Sequence, residues 1–110
     1  ETDPILKNVK IKNNGIDLIL NYSSEVIAVH SGEIKKIFNV PYGGKAIIVR
    51  HGEYLTVYSN LNEVNVKVGQ FVSTGENLGT VMKQVDNTLV LHFEIWNEKE
   101  PENPLNWVKF

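Results

Sequence analysis

The chain has 110 residues, which is enough for one domain and too few for two. Eleven basic and thirteen acidic residues give a formal net charge of −2, which argues against a nucleic-acid or anionic-membrane surface because both need a basic excess. The sequence has no cysteine, so it offers neither a disulfide nor a thiolate zinc ligand. No apolar run approaches the roughly 20 residues of a membrane helix. We therefore expect one globular domain over residues 1–110.

Short runs rich in β-branched residues, separated by Gly, Asn and Pro, predict an all-β fold. No segment keeps a 3.6-residue apolar period for three turns. We therefore expect only one helical turn, over residues 104–108. The lengths and spacing of the runs are typical of a small antiparallel sandwich or barrel. In chain order, the predicted strands cover residues 9–11, 26–29, 34–40, 46–50, 54–58, 78–82 and 89–96.

One segment has a period of three residues, formed by Val66, Gly69, Val72, Gly75 and Leu78. This period fits neither a helix nor a flat strand. It predicts tight turns with glycine at positive φ, and apolar side chains pointing into one layer between the turns. The segment resembles two families, the lipoyl and biotinyl carrier domains and the lysostaphin/LytM-type zinc peptidases.

A carrier domain would need an exposed lysine at a hairpin tip, seven residues after the last apolar position of the repeat. Counting from Leu78 reaches Val85 instead. Lys83 lies two residues too early and lacks the acidic or small neighbours of a carrier motif. We therefore interpret Lys83 as a solvated strand lysine.

The resemblance to the LytM-type peptidases covers nearly the whole chain, from about residue 12 to residue 108. It implies a LytM-type fold, a small antiparallel β-sandwich that is also described as a barrel-sandwich hybrid. Six segments carry it in the order and spacing of the family: NNGIDL at 13–18, VIAV with SGEI at 26–34, AIIVRHG at 46–52, EYLTVYSNL at 53–61, LHFEI at 91–95 and PLNW at 104–107.

The family's catalytic residues are only partly present. The resemblance places the three zinc ligands at Asn13, Asp17 and His92, and the two catalytic histidines at Asn60 and Val90. A neutral amide at Asn13 binds zinc far more weakly than an imidazole, and a valine cannot move a proton. The resemblance therefore implies a pseudo-enzyme with vestigial ligand positions, no bound metal and no other cofactor.

Alternation along the last predicted strand puts Val90, His92, Glu94 and Trp96 on one face. In the related fold this face forms the floor of the substrate groove, and a loop containing Tyr42 overhangs it. Our expected partner-binding groove consists of Tyr42, Asn60, Val90, His92 and Trp96. A groove with an aromatic, apolar floor suits a peptide or a helix better than a hydrolytic water.

Structural roles for the same residues stay open at this point. His92 could be a hydrogen-bonded strand histidine, and Asp17 could accept backbone N–H groups at a turn. Trp96 could pack against Trp107. His51, at the end of a predicted strand, is interpreted as structural.

Among degenerate LytM-type domains, the chain is most similar to the EnvC-type murein hydrolase activators, particularly those of the Bacteroidetes. RHGEYLTVYSNL at 50–61, VKVG at 66–69 and LHFEIW at 91–96 carry this similarity. It implies a periplasmic protein whose signal and coiled coil lie outside this chain, with this domain at the C-terminus. The groove would capture the regulatory helix of a zinc-dependent N-acetylmuramoyl-L-alanine amidase and so promote septal cell-wall splitting.

Two other functions remain open. A pseudo-peptidase could bind the stem peptide of peptidoglycan through polar groups such as Asn13, Asp17 and Asn60. A weak zinc endopeptidase would need close to one equivalent of zinc. We expect no nucleic-acid partner and no direct membrane insertion.

Overall fold

Eight β-strands make up the regular structure of a computed structural model of the chain, which describes residues 15–20, 23–41 and 44–97. None of these residues forms a helix that is long and apolar enough to cross a membrane. The strands are β1 Ile16–Leu20, β2 Glu25–Ile27, β3 Gly32–Asn39, β4 Lys45–His51, β5 Tyr54–Val64, β6 Phe71–Val72, β7 Asn77–Val81 and β8 Leu89–Asn97.

Six of the seven predicted strands correspond to β2, β3, β4, β5, β7 and β8. The seventh, at 9–11, and the helical turn at 104–108 lie outside the described residues. β1 and β6 are additional strands, and β5 is six residues longer than predicted.

All strand pairs are antiparallel, and their order is β1-β8-β5-β4-β3-β6, with β7 paired to both β5 and β2. The long strand β5 changes partner along its length. Its first part, through Ser59, pairs with β8, and its second part, from Leu61, pairs with β7. The sheet can therefore fold over on itself, and β2 and β7 pack on the same core as β4 and β8. The predicted all-β, antiparallel fold is confirmed.

The central strands are buried on both faces. Residues 46–49 of β4 are at most 1% exposed, which explains why this segment is a continuous apolar run rather than an alternating one. Each fully buried aliphatic side chain contributes about 1.5–3 kcal/mol relative to exposure. The main core contains Val26, Ala28, Ile34, Ile47, Val49, Tyr58, Leu61, Val66, Val72, Leu78, Val81, Leu91 and Phe93.

The three-residue repeat forms the turns that its spacing predicts. Gly69 and Gly75 have φ angles of 92° and 86°, which side chains rarely adopt. Val66, Val72 and Leu78 are 6%, 3% and 0% exposed and all belong to the main core. This prediction is confirmed.

Candidate functional site

Strands β1 and β8 place Asp17 beside His92, as direct partners in the antiparallel register. The Nδ1 of His92 lies 2.7 Å from Oδ1 of Asp17, and its Nε2 lies 2.9 Å from Oε2 of Glu94. The indole N–H of Trp96 donates to the other oxygen of Glu94 at 2.6 Å. These four residues, which we call the His92 network, run from an exposed Asp17 side chain (65%) through His92 (37%) and Glu94 (15%) to a buried Trp96 (2%).

Alternation along β8 explains why the network exists. Leu91 and Phe93 point into the main core, so His92, Glu94 and Trp96 share the opposite face. Trp96 belongs to a second, smaller core that contains Ile48, Leu55 and Val57, with Phe38 packed against it.

Gly15, which precedes β1, lies directly against the network. A Cβ at this position would approach the Glu94 side chain and the Phe93 carbonyl within 2.6 Å, and Nε2 of His92 at 3.0 Å. Its φ of 51° also lies in the left-handed region. Any side chain here would therefore displace the groups that hold His92.

The two carboxylates set the charge of His92. Burial alone would lower the pKa of His92, but the hydrogen bonds to Asp17 and Glu94 outweigh burial and raise the pKa above its ordinary value of 6.5. An imidazole that faces a carboxylate at each nitrogen is best satisfied as an imidazolium, because both N–H groups then donate.

The described residues do not fit a catalytic zinc ion. A histidine binds zinc through the lone pair of a neutral ring nitrogen, and both nitrogens of His92 are directed at carboxylates. Within the described ranges, no group of three or more His, Cys, Asp or Glu side chains could hold a metal ion. Asn13, the third vestigial ligand position, lies outside them.

An open cavity of about 660 Å³ lies beside the network. It combines apolar, neutral polar and charged side chains, which suits a peptide-like ligand. Its described lining consists of Val40, Val85 and Val90, of Ser59, Asn60, Gln84 and Thr88, and of Asp17, Asp86 and His92.

The structure brings three of the five expected groove residues together: Asn60, Val90 and His92 all line this cavity. Trp96 lies on the same face of β8 as Val90 and His92, but it is 2% exposed and does not line the cavity; its indole N–H donates to Glu94, which contacts His92. Tyr42 lies outside the described residues. Sequence reasoning missed Glu94 as a site residue, although its position two residues from both His92 and Trp96 was a usable signal.

Asn60 forms one wall of the cavity and has a specific structural role. It lies where β5 changes partner, and its φ of 70° is in the left-handed region that asparagine tolerates. Its carbonyl accepts the amide of Met82 at 2.9 Å, and its side-chain amide donates to the Val90 carbonyl at 2.6 Å. Asn60 thus hydrogen-bonds just past the end of β7 and to the start of β8, where these two strands separate.

The loop between β7 and β8 forms another wall and is internally braced. Oδ1 of Asp86 accepts the backbone N–H of Thr88 at 3.1 Å and its hydroxyl at 2.7 Å, and these bonds lower the pKa of Asp86. The backbone N–H of Gln84 donates to the backbone carbonyl of Thr88 at 2.8 Å. At the tip, the side chain of Val85 is fully exposed.

His51 does not line the cavity and has a structural role instead. Its Nδ1 lies 2.7 Å from the Ser31 carbonyl, and its Nε2 lies 2.8 Å from Oγ1 of Thr56. Burial is the main cause that lowers the pKa of His51, and His30 adds to the effect. The neutral ring, with Nδ1–H donating and Nε2 accepting from the threonine hydroxyl, satisfies both contacts.

The sequence model of Peptidase family M23 matches residues 11–104. The chain belongs to this family. It is 34% identical over 93 residues to the cell division protein DipM of Caulobacter vibrioides, covering 82% of this chain and 15% of that protein. It is 34% identical over 77 residues to the peptidoglycan DD-endopeptidase ShyA of Vibrio cholerae, covering 69% and 18%. It is 30% identical over 98 residues to the murein hydrolase activator NlpD of Escherichia coli, covering 87% and 26%.

Solved structures of the family share the LytM-type fold. The solution structure of lysostaphin superposes with a TM-score of 0.69 at 27% identity, over 84% of this chain and 41% of that chain. A zinc-containing peptidase from Vibrio cholerae superposes with a TM-score of 0.66 at 26% identity, over 77% and 27%. The LytM-type resemblance seen in the sequence is confirmed.

The chain spans only 15–26% of the length of these three curated relatives. Their names include a peptidase and an activator, so family membership alone does not decide between catalysis and regulation. That choice rests on the geometry of this chain's own residues.

Proposed function

We propose that this domain is a non-catalytic activator of a periplasmic N-acetylmuramoyl-L-alanine amidase, of the EnvC type. In this proposal it binds the regulatory helix of the amidase in the cavity beside the His92 network and so promotes septal peptidoglycan cleavage. The relation to NlpD, named a murein hydrolase activator, supports the activator class. A periplasmic location follows from the proposal because the amidase and its substrate meet there.

The geometry around His92 carries the proposal. Both ring nitrogens of His92 lie within hydrogen-bond distance of carboxylates, so a metal ion would have to displace one of these contacts to bind the ring. Asn60 is bonded to the Val90 carbonyl, and Val90 has no proton to transfer, so neither residue can act as a general base. Among the described residues, the cavity is present, while the positions that match the family's two catalytic histidines hold Asn60 and Val90.

The proposed contact surface consists of Asn60, Val90 and His92, and we keep Tyr42, which lies outside the described residues, as a further proposed contact. Trp96 is buried, so in this proposal it acts through its hydrogen bond to Glu94, which fixes the His92 ring. Val90 and the exposed Val85 would supply the apolar contact that a helix face needs.

Activation then works by a shift of populations. The regulatory helix of the amidase either covers its own active site or is captured by this domain. Capture favours the open amidase only if the domain binds the open form more tightly than the closed form. A shift from about 1% open to about 99% open would need roughly a 10⁴-fold difference in affinity.

A dye-release assay on labelled peptidoglycan tests the proposal, with this domain, a cognate amidase and their mixture in separate reactions. We expect release from the mixture only. Release by the domain alone, abolished by a chelator, would show a working metal site and overturn the proposal.

A second function is favoured by the polar side chains of the cavity. Ser59, Gln84 and Thr88 could hydrogen-bond an extended stem peptide, which would make the domain a peptidoglycan-binding pseudo-peptidase. Co-sedimentation with intact peptidoglycan, without activation of any amidase, would favour this alternative.

A further inference from the structure

The described lining of the cavity carries an excess of negative charge. Asp17 contributes a carboxylate from β1, and Asp86 contributes one from the loop between β7 and β8. Glu94 adds a third carboxylate behind His92. No Lys or Arg of the described ranges lines the cavity, so the excess persists whether His92 is charged or neutral.

Local hydrogen bonds fix the orientation of the Asp86 side chain. Its two hydrogen bonds to Thr88 use a single oxygen, Oδ1, and the residue is exposed to solvent. Because the same bonds fix the turn, the carboxylate costs little entropy when a partner binds.

Aliphatic surface lies next to these charges. Val85 is fully exposed at the tip of the braced turn, where a polar residue would be usual. Val90 lines the floor, and its cross-strand partner Ile19 is 66% exposed on the same face. The cavity therefore presents carboxylates flanked by apolar side chains.

We propose that the segment bound in this cavity carries an arginine or lysine flanked by aliphatic side chains. The cation lies against Asp17 and Asp86, and the aliphatic side chains pack on Val85 and Val90. This inference rests on the proposed function, because it uses the same cavity, and it adds the chemistry of the partner segment. Segments with an acidic residue at that position are rejected by like charge.

The first test uses two synthetic helical peptides and needs no amidase. Both are capped Ala/Leu-based sequences, one with a central Arg and its twin with Glu in the same place. We expect the Arg peptide at up to about 1 mM, the scale of weak contacts, to shift the amide NMR signals of Val85, Asp86 and Val90. Equal shifts with the Glu twin, or none with the Arg peptide, would overturn the inference.

The second test measures amidase binding by charge variants of the domain. Asp86→Lys should weaken binding about 20-fold at low salt and less at high salt, because the effect is electrostatic. Asp86→Asn keeps the turn, since asparagine forms the same local bonds, and should weaken binding about fivefold. Glu63→Lys, an exposed residue that does not line the cavity, changes the net charge identically and should stay within about twofold.

The two tests separate this inference from the proposed function. If the wild-type domain binds the amidase and Asp86→Lys binds equally well, the charge inference is wrong and the activator proposal stands. If the amidase does not bind but the Arg peptide does, the activator proposal fails and the preference for a cationic segment is supported.

Discussion

Asn60 combines a left-handed backbone with a hydrogen bond that closes the gap between β7 and β8, and the two effects can be separated by substitution. Asn60→Ala loses the 2.6 Å bond to the Val90 carbonyl, worth about 0.5–1.5 kcal/mol, and replaces asparagine by a residue that tolerates a φ of 70° less well, which costs about 1 kcal/mol. The free energy of unfolding should therefore fall by about 1.5–2.5 kcal/mol. For a domain of this size that lowers Tm by roughly 10 °C.

Two further substitutions divide this loss. Asn60→Gly relieves the backbone cost but loses the bond and adds freedom to the unfolded chain, so we expect a loss of about 1–2 kcal/mol. Asn60→Asp keeps the backbone tolerance but places an oxygen against the Val90 carbonyl, so we expect a loss of about 2 kcal/mol.

Asn87 offers a matched control because its φ is 71°, and within the described part of the chain its side chain makes no hydrogen bond. Asn87→Ala should cost only the backbone part, about 1 kcal/mol, and Asn87→Asp should cost almost nothing. Guanidinium unfolding curves for all five variants provide the measurement. Equal losses for Asn60→Ala and Asn87→Ala, or a stable Asn60→Asp, would refute the assigned role of the Asn60 side chain.

Three other predictions concern the network, the two bonded histidines and one close approach. Glu94→Gln should lower the pKa of His92 and destabilise the domain by about 1.5–3 kcal/mol. NMR titration measures this pKa, and an unchanged value would show that the Glu94 carboxylate does not raise it. His92 has a raised pKa, so its contribution to stability is complete below pH 6.5 and is lost as the pH rises through its folded-state pKa. His51 has a lowered pKa, so its contribution is complete above pH 6.5 and is lost as the pH falls through its folded-state pKa. Thermal unfolding from about pH 5 to 8 should show His92→Gln flattening the alkaline side and His51→Gln flattening the acid side, and the opposite assignment would contradict both. Gly79→Ala should lower the free energy of unfolding by about 2–3 kcal/mol, because the new Cβ would overlap the carbonyl oxygen of Glu63 in β5. Gly69→Ala is the control: nothing lies within 4 Å of its Cβ, so it should lower the free energy of unfolding by about 1 kcal/mol. Similar losses for both variants would show that the protein relieves the contact at Gly79 easily.

The fold was predictable from the sequence where burial imposes a pattern. The apolar run at 46–49 and the alternation along β8 identify strands because each side chain's burial follows from its position. β1 was missed because three of its five residues are exposed, among them Ile19, so its pattern does not distinguish two faces. β5 was predicted too short because it continues through polar residues that include Asn60, whose conformation depends on strands far away in the chain.

The candidate site was predictable in its positions but not in its contacts. Matching motifs indicated Asp17 and His92, and the structure pairs them across β1 and β8. Alternation put Trp96 on the correct face but could not predict that its side chain is buried, since the residues that cover it come from strands β3, β4 and β5. Asp86 was missed because the loop sequence does not show that its turn borders the cavity.

The His92 network also explains how a LytM-type site can persist with these residues. In a zinc site, a dication compensates the carboxylate ligands and fixes the histidine ring. Here Asp17 and Glu94 lie at the two ring nitrogens of His92, and whenever the ring is protonated its positive charge hydrogen-bonds to both carboxylates. The indole of Trp96 then orients the more buried carboxylate from behind. A proton shared in this way cannot polarise a substrate carbonyl as a metal ion does, which is consistent with the binding role that we propose for the cavity.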